Sequence, residues 1–326
     1  MFRHQRWKMG IAVLMMLLLL VSCRAFRRPD LRPSSGAPAI PKAIAKGARQ
    51  EPDLKVYIKE TKKVKTMAFE EYIAGVVAAE MDPKWPLEAL AAQAILARTF
   101  TLEKIAREGG VPSRNAHAST DIEEFQAYDA SRINDRVRDA VRLTRGKVAA
   151  YNGRYIRAWF HANSGGKTAT AADGLAFEKE PTPYVVSIDD SISQQTAPAK
   201  DRTWTVTFSK AEIAKALQTI GQKPGDFSKV EIVEKSNSGR ALTLRMGKAT
   251  VSAPEFRLAI GSTKLKSTLI DSIVVTGDKV TFKGKGYGHG VGMSQWGAKG
   301  RAEQGAKAED IINAYFRGIE VFKIWD

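Results

Sequence analysis

"AFEEYIAGVVAAEMDPKWPLEALAAQAILARTFTLEKIAREGG", residues 68–110, sets the character of the chain. Phe69, Tyr72, Ile73, Val76 and Val77 recur at helical spacing, so one stripe of a first helix is apolar. "DPKW" interrupts the pattern, and Pro86 suits the first turn of a second, longer helix that stops at Gly109 and Gly110. One carboxylate is out of place. Glu80 follows Ile73 by seven residues and Val76 by four, so it continues the apolar stripe and faces the core or a cleft, unlike Glu70 and Glu71. It also falls in the last turn, where the negative helix end disfavours a second negative charge. Both effects raise its pKa and keep it protonated near neutrality, the state a general acid needs. A buried Glu80 paired with a base such as Arg98 explains the same spacing, and periodicity alone does not separate the two.

Strands surround this pair of helices. "LKVYIKETKKVKTM" reads as strand, turn and strand before it. Residues 111–134 are polar and loop-like, "DRVRDAVRLTRG" is helical, and "KVAAYNGRYIRAWFHAN" is a hairpin turning at Asn152 and Gly153. Residues 200–282 read as an inserted α+β subdomain. Within it, Ser209 and Glu212 form a capping box for "KAEIAKALQTI", and hairpins turn at 237–239 and at Gly277 and Asp278. "SQWGAKGRAEQG" and "KAEDIINAYFRG" read as closing helices. Helices and strands interleave without βαβ regularity, so the class is α+β with mostly antiparallel strands.

The segment "GKGYGHGVG", residues 284–292, places glycine at every second position. It fits neither G-x-x-x-x-G-K-[ST] nor G-x-G-x-x-G, so it is not a phosphate loop. Its alternation reads as a strand with one bare face, the other carrying Lys285, Tyr287, His289 and Val291. Glycine in a strand marks a close approach. Either a flat ligand such as a sugar ring or the first long helix of the chain itself can be what approaches.

The formal net charge is +16. It is concentrated at the N-terminal end, with +3 on residues 1–22 and +6 on residues 24–50, leaving +7 for the rest. That distribution argues against a nucleic-acid-binding body and for an end near anionic lipid or wall polymer, or for a basic solubilising tail. A basic start, "FRHQRWK", precedes thirteen apolar residues, 9–21, too few to span a bilayer comfortably and suited to a signal-peptide core. "LVSC" then ends at Cys23, the single cysteine of the chain, in the manner of a bacterial lipobox. Residues 1–22 are thus expected to be a lipoprotein signal peptide, Cys23 the lipidation site, 23–52 a flexible basic tether and 53–326 the ordered domain. An uncleaved N-terminal anchor is the other reading. Either way the body is exported, facing the periplasm or cell wall. "HANSGG", residues 161–166, offers His161 and Ser164 as a hydrolase pair or simply a polar loop. G-x-S-x-G is absent, and His117, His161 and His289 have no metal-site spacing.

Five stretches together resemble one family, the stage II sporulation protein D / amidase-enhancer family of bacterial cell-wall proteins. They are "EYIAGVVAAEMDPKWPLEALAAQAILARTF", "HANSGGKTATAADG", "PYVVSIDD", "EFRLAIGSTKLKST" and "GKGYGHGVGMSQWGAKGRAEQGAKAEDIINAYF", in family order from about residue 54 onward. The resemblance implies a lytic transglycosylase acting on peptidoglycan strands whose stem peptides an amidase has removed, with Glu80 as the catalytic acid. It implies substrate binding by Arg98, His161, Ser164, Gly165, Gly166, Tyr287, His289 and Gln295. Some members bind zinc through cysteines near the "HANSGG" and "FQAY" blocks. This chain has none there, so neither a metal nor any other cofactor is expected. The implied partners are glycan strands, an N-acetylmuramoyl-L-alanine amidase and, through the lipid, the membrane. The chemistry accords with a lone acid: the sugar's own C6 hydroxyl is the nucleophile, so one carboxyl serves as acid and then base, where ordinary glycosidases need two. A non-catalytic wall-binding enhancer of an amidase is the alternative. A Glu80 sealed in a salt bridge would favour that reading.

Overall fold

The computed structural model describes residues 36–326; the expected signal peptide, Cys23 and residues 24–35 of the tether lie outside the described residues. Strands β1 (Asp53–Ile58) and β2 (Lys63–Ala68) pair antiparallel and lead into helix α1 (Phe69–Glu80). Helix α2 (Leu87–Glu108) begins after Pro86 and ends at Gly109 in the left-handed conformation, where the glycine N–H caps the Ile105 carbonyl. Alanines fill its middle, from Ala89 to Ala97, so neighbouring elements approach it closely and it is buried through this stretch. Strand β3 (Ala118–Ser119) joins β1 in parallel, and α3 (Asp135–Leu143) packs on α1 and α2. Strands β4 (Lys147–Tyr151) and β5 (Arg154–Tyr155) form a hairpin with positive φ at both Asn152 and Gly153, as a two-residue turn requires. The expected second arm is cut short, and the chain turns away to β6 (Phe160–His161).

Short helices α4 (Ala171–Leu175), α5 (Ser191–Thr196) and α6 (Ala199–Arg202) lead to β7 (Thr203–Ser209). Helix α7 (Lys210–Thr219) starts with the capping box of Ser209 and Glu212. Strands β8 (Val230–Lys235), β9 (Ala241–Met246) and β10 (Ala249–Ser252) make one antiparallel sheet. After α8 (Ala253–Ile260), β11 (Ile270–Thr276) and β12 (Lys279–Lys285) join β7 in another. A second apolar cluster, including Phe208, Phe256 and Phe282, is drawn wholly from residues 204–282, apart from the larger cluster around α1 and α2. Strand β13 (Met293–Ser294) runs parallel to β6, and α9 (Gln295–Glu303), α10 (Ala308–Tyr315) and β14 (Glu320–Lys323) complete the chain, β14 pairing with β4. The fold is α+β with mostly antiparallel strands.

Two expectations change. Residues 36–52, read as part of a flexible tether, lie against the body. Ile44 is buried in the main cluster, Glu51 accepts the Glu70 N–H (2.8 Å), and Arg49 pairs with Asp326 (3.0 Å). Small Ala and Pro residues read as linker, yet they also suit a strap laid flat on a surface.

The glycine segment is not a strand beyond Lys285. Gly286, Gly288, Gly290 and Gly292 have φ of 77°, 109°, 82° and 71°, a reversal at every second residue that no extended pleat contains. What approaches closely is the chain itself, and not the first long helix. A Cβ on Gly290 would lie 2.2 Å from Nη2 of Arg240, and one on Gly292 2.1 Å from the Trp159 carbonyl oxygen. No room is left there for a sugar ring. Gly292→Ala is therefore expected to lower folding stability by about 2 kcal/mol or more, from left-handed strain plus a backbone clash. Urea denaturation measures it, and an unchanged midpoint would refute the assignment.

Candidate functional site

Glu80 is the last residue of α1, and the sequence builds its surroundings from three directions. Gly75 lies one turn back. A Cβ there would fall 2.2 Å from the Tyr128 ring, so only glycine lets the 125–129 loop lie on the helix. Tyr128 stacks on Tyr72 (centroids 5.6 Å, 12°), and the Asp129 N–H donates to the Gly75 carbonyl (3.0 Å). That loop delivers the Ala127 N–H to Oε1 of Glu80 (3.1 Å). From the opposite end of the chain, Gln295, first residue of α9, donates from Nε2 to Oε2 of Glu80 (3.4 Å). Among the described residues Glu80 makes no ion pair, and it keeps partial exposure. Burial pushes its pKa up to about 6, against the opposing pull of the Ala127 and Gln295 hydrogen bonds.

Next to this carboxyl stand two aromatic side chains. Trp85 follows Glu80 by five residues and Trp296 follows Gln295 directly; their rings meet at 4.6 Å, tilted by 49°. Both are partly exposed, and Nζ of Lys299 lies 5.8 Å from the Trp296 ring centre. The two rings give apolar surface near the carboxyl, Trp85 through the loop after Glu80 and Trp296 through its neighbour Gln295. Neither tryptophan was singled out from sequence. Their signal was adjacency: each lies within five residues of a nominated site residue.

The structure brings Gln295 to Glu80. Arg98 is fully buried and is neither a substrate ligand nor the partner of Glu80. Its Nε and Nη2 donate to Glu70 (3.1 and 2.6 Å) and its Nη1 to the Lys147 carbonyl (2.8 Å). Glu70, expected to face solvent, is buried; it also accepts from the Gly146 N–H (3.0 Å) and from Nε1 of Trp325 (2.8 Å). The C-terminal tryptophan covers that side of α1, which helix periodicity cannot foresee.

The 161–166 segment is scaffold. Ser164 is buried, sharing a hydrogen bond with the Ser193 hydroxyl (2.7 Å) and accepting the Gly166 N–H (3.1 Å). His161 donates from Nδ1 to the Val291 carbonyl (3.1 Å), so no Ser–His bond forms and the hydrolase reading falls. His289 accepts the Val291 N–H at Nδ1 (3.0 Å). Burial, then the nearby charges, hold both imidazoles neutral, His161 well below its ordinary value and His289 pushed down to about 3. Gly165 closes a turn by donating to Oδ1 of Asn163 (2.9 Å) and packs against Gly286. Tyr287 donates its N–H to the Asn163 carbonyl (2.7 Å) and carries Lys266 over its ring, 5.4 Å from the centre. These contacts knit the glycine segment to the 161–166 turn. Among the described residues no three His, Cys, Asp or Glu side chains converge as a metal site. A cavity of about 260 Å³ lined by Glu70, Glu71 and Arg138 lies on another face of α1, but its two carboxylates are already paired, Glu70 with Arg98 and Glu71 with Arg138.

A family model described as Stage II sporulation protein matches residues 57–151, the span holding α1, Glu80, Ala127 and α2. A domain of unknown function (DUF8618) matches residues 189–292. Stage II sporulation protein D of Bacillus subtilis is 30% identical over 279 residues, covering 82% of this chain and 78% of that protein. The amidase enhancer of the same organism is 30% identical over 298 residues, covering 76% of this chain but 39% of its own length. An uncharacterized protein of Brachyspira hyodysenteriae is 30% identical over 261 residues, 79% of this chain and 67% of its own. Similarity of this extent shows that the chain belongs to the stage II sporulation protein D / amidase-enhancer family.

Proposed function

We propose that this protein acts on the bacterial cell wall as a lytic transglycosylase, cleaving glycan strands that have lost their stem peptides and leaving 1,6-anhydro ends. The observation that carries the reading is Glu80: a carboxyl with no cationic partner among the described residues, its pKa pushed up to about 6, near a partly exposed pair of tryptophans. In the reaction Glu80 protonates the glycosidic oxygen as the C1–O bond breaks. It then takes the proton from the C6 hydroxyl as that oxygen closes on C1, so no water is consumed. Gln295 and the Ala127 N–H fix the carboxyl's orientation without neutralising it by a counter-charge. Mass spectrometry of denuded strands incubated with the full chain is expected to find anhydro-muramyl ends. Hydrated reducing ends alone would exclude the mechanism. Because the donor must be protonated, cleavage on the free-enzyme profile falls as pH rises through about 6. Activity climbing steadily to pH 8 contradicts a Glu80 acid.

A second reading, a binding protein that enhances an amidase, rests on the similarity to the amidase enhancer. Absence of any cleavage together with tight glycan binding would select it. For location, "LVSC" supports export and anchoring of the chain through a lipidated Cys23. Cys23→Ser should then accumulate unprocessed, and a mature membrane-bound variant would overturn the anchor.

A further inference from the structure

The loop after Glu80 is held by side chains at alternate positions of one neighbouring segment. Arg132 donates from Nη1 to the Ala79 carbonyl (3.3 Å) and from Nη2 to the Met81 carbonyl (3.4 Å), so its guanidinium straddles the Glu80 peptide unit. Asn134 reaches the Pro83 carbonyl (3.2 Å), and Nη1 of Arg136 reaches those of Lys84 and Trp85 (both 3.3 Å). Both arginines are exposed. The following arginines of the same stretch spend their charge on carboxylates: Arg138 on Glu71, Arg142 on Asp139 and Arg145 on Glu51. Among the described residues, Arg132 and Arg136 have no carboxylate at ion-pair distance. Two of the acids nearby are otherwise engaged. Asp129, which feels the charge of Arg132, accepts the N–H and hydroxyl of Ser131, and Asp82 accepts the Lys84 N–H. A guanidinium has five N–H donors. Arg132 uses one on each Nη, over long bonds, and Arg136 uses Nη1 alone. Two unneutralised guanidinium groups thus sit on the end of α1 and on the loop that follows Glu80 and includes Trp85.

We propose that Arg132 and Arg136 form an anion subsite that reads the free lactyl carboxylate of a muramic acid residue bound at Glu80. The inference rests on the glycan reading above and names the feature by which the site selects denuded strands. An attached stem peptide turns the lactyl group into a neutral amide. Hydrolysis of that amide leaves one carboxylate per disaccharide, and a guanidinium fork matches a carboxylate with two parallel hydrogen bonds. A site built only to tolerate the missing peptide would need no cation. This one leaves two uncompensated on the backbone that runs from the end of α1 to Trp85.

The test measures binding by the full chain carrying Glu80→Gln, so that cleavage plays no part. The probes are denuded glycan fragments and the same fragments with their lactyl carboxylates converted to methylamides. The carboxylate form is expected to bind about tenfold or more tighter, the range of a charge-assisted hydrogen bond. Adding Arg132→Gln or Arg136→Gln should bring that ratio toward one, while Arg132→Lys retains part of it; thermal melts establish that each variant is folded. Because Arg132 also caps α1, Arg136→Gln provides the independent arm should Arg132→Gln unfold. Equal binding of the two probes, a ratio that survives both glutamine substitutions, or no binding of either probe overturns the proposal. A chain that shows the ratio but, with Glu80 restored, never cuts glycan keeps the subsite and loses only the transglycosylase reading.

Discussion

Glu80→Gln is expected to bind denuded glycan and release no 1,6-anhydro ends. The amide keeps the shape of the carboxyl and can still engage Gln295 and the Ala127 N–H, but it has no proton to give to the glycosidic oxygen. Loss of general acid catalysis is worth on the order of 10²–10⁴ in rate. A structural consequence goes with it and has the opposite sign from most substitutions. The folded-state pKa of Glu80, about 6, stands above its ordinary value of 4.5, so the folded protein holds this proton more tightly than the unfolded chain. The contribution of Glu80 to wild-type stability therefore falls as pH rises from about 4.5 through 6 and levels off above. The glutamine variant does not share that loss, so its melting temperature relative to wild type should be higher at pH 8 than at pH 4. Wild-type rates of anhydro-end formation in the variant would remove Glu80 from the mechanism. A melting difference independent of pH would show that its carboxyl is not perturbed.

Arg98→Met should unfold the protein or bring it close to unfolding. The substitution strips a buried carboxylate, Glu70, of its two guanidinium bonds while leaving the charge in place, and it deletes the donor to the Lys147 carbonyl. Breaking one partner of a buried pair costs about 3–5 kcal/mol. Marginal stabilities are of similar size, so soluble expression itself is a readout. Had Arg98 bound substrate, as its place in the family blocks suggested, the variant would melt normally and lose only glycan affinity. Denaturation midpoints compared with glycan binding separate the two outcomes, and a normally folded Arg98→Met chain defeats the structural assignment. The double replacement Glu70→Gln, Arg98→Met should recover part of the loss, because no uncompensated charge then remains.

Much of the fold was legible because its signals are local. The stripe on α1, the break at 82–85, the left-handed Gly109, the turn at Asn152 and Gly153 and the capping box at Ser209 each depend on residues within a few positions of one another. Glu80 was legible for the same reason: a carboxylate in register with an apolar stripe is turned toward the interior, where burial raises its pKa. The glycine segment misled because alternation every two residues is shared by a pleated strand and by a chain that reverses φ at each second residue. Sequence spacing is blind to the sign of φ.

What tertiary structure alone decided is which long-range partner each side chain meets. Arg98 is eighteen residues from Glu80 and twenty-eight from Glu70, and nothing in the periodicity of α1 or α2 says which it takes. The choice is made by Trp325 and Gly146, which come from other parts of the chain to bury the Glu70 side and complete its hydrogen bonds. Gln295, Ala127 and Trp296 likewise reach the Glu80 site only because α9 and the 125–129 loop pack there. An α-helix dictates the direction of its own side chains through a repeat of 3.6 residues, whereas the side it turns to the core is fixed by every element that covers it. The sequence by itself determined where Glu80 stands; the packing of distant segments leaves it without an ion pair among the described residues.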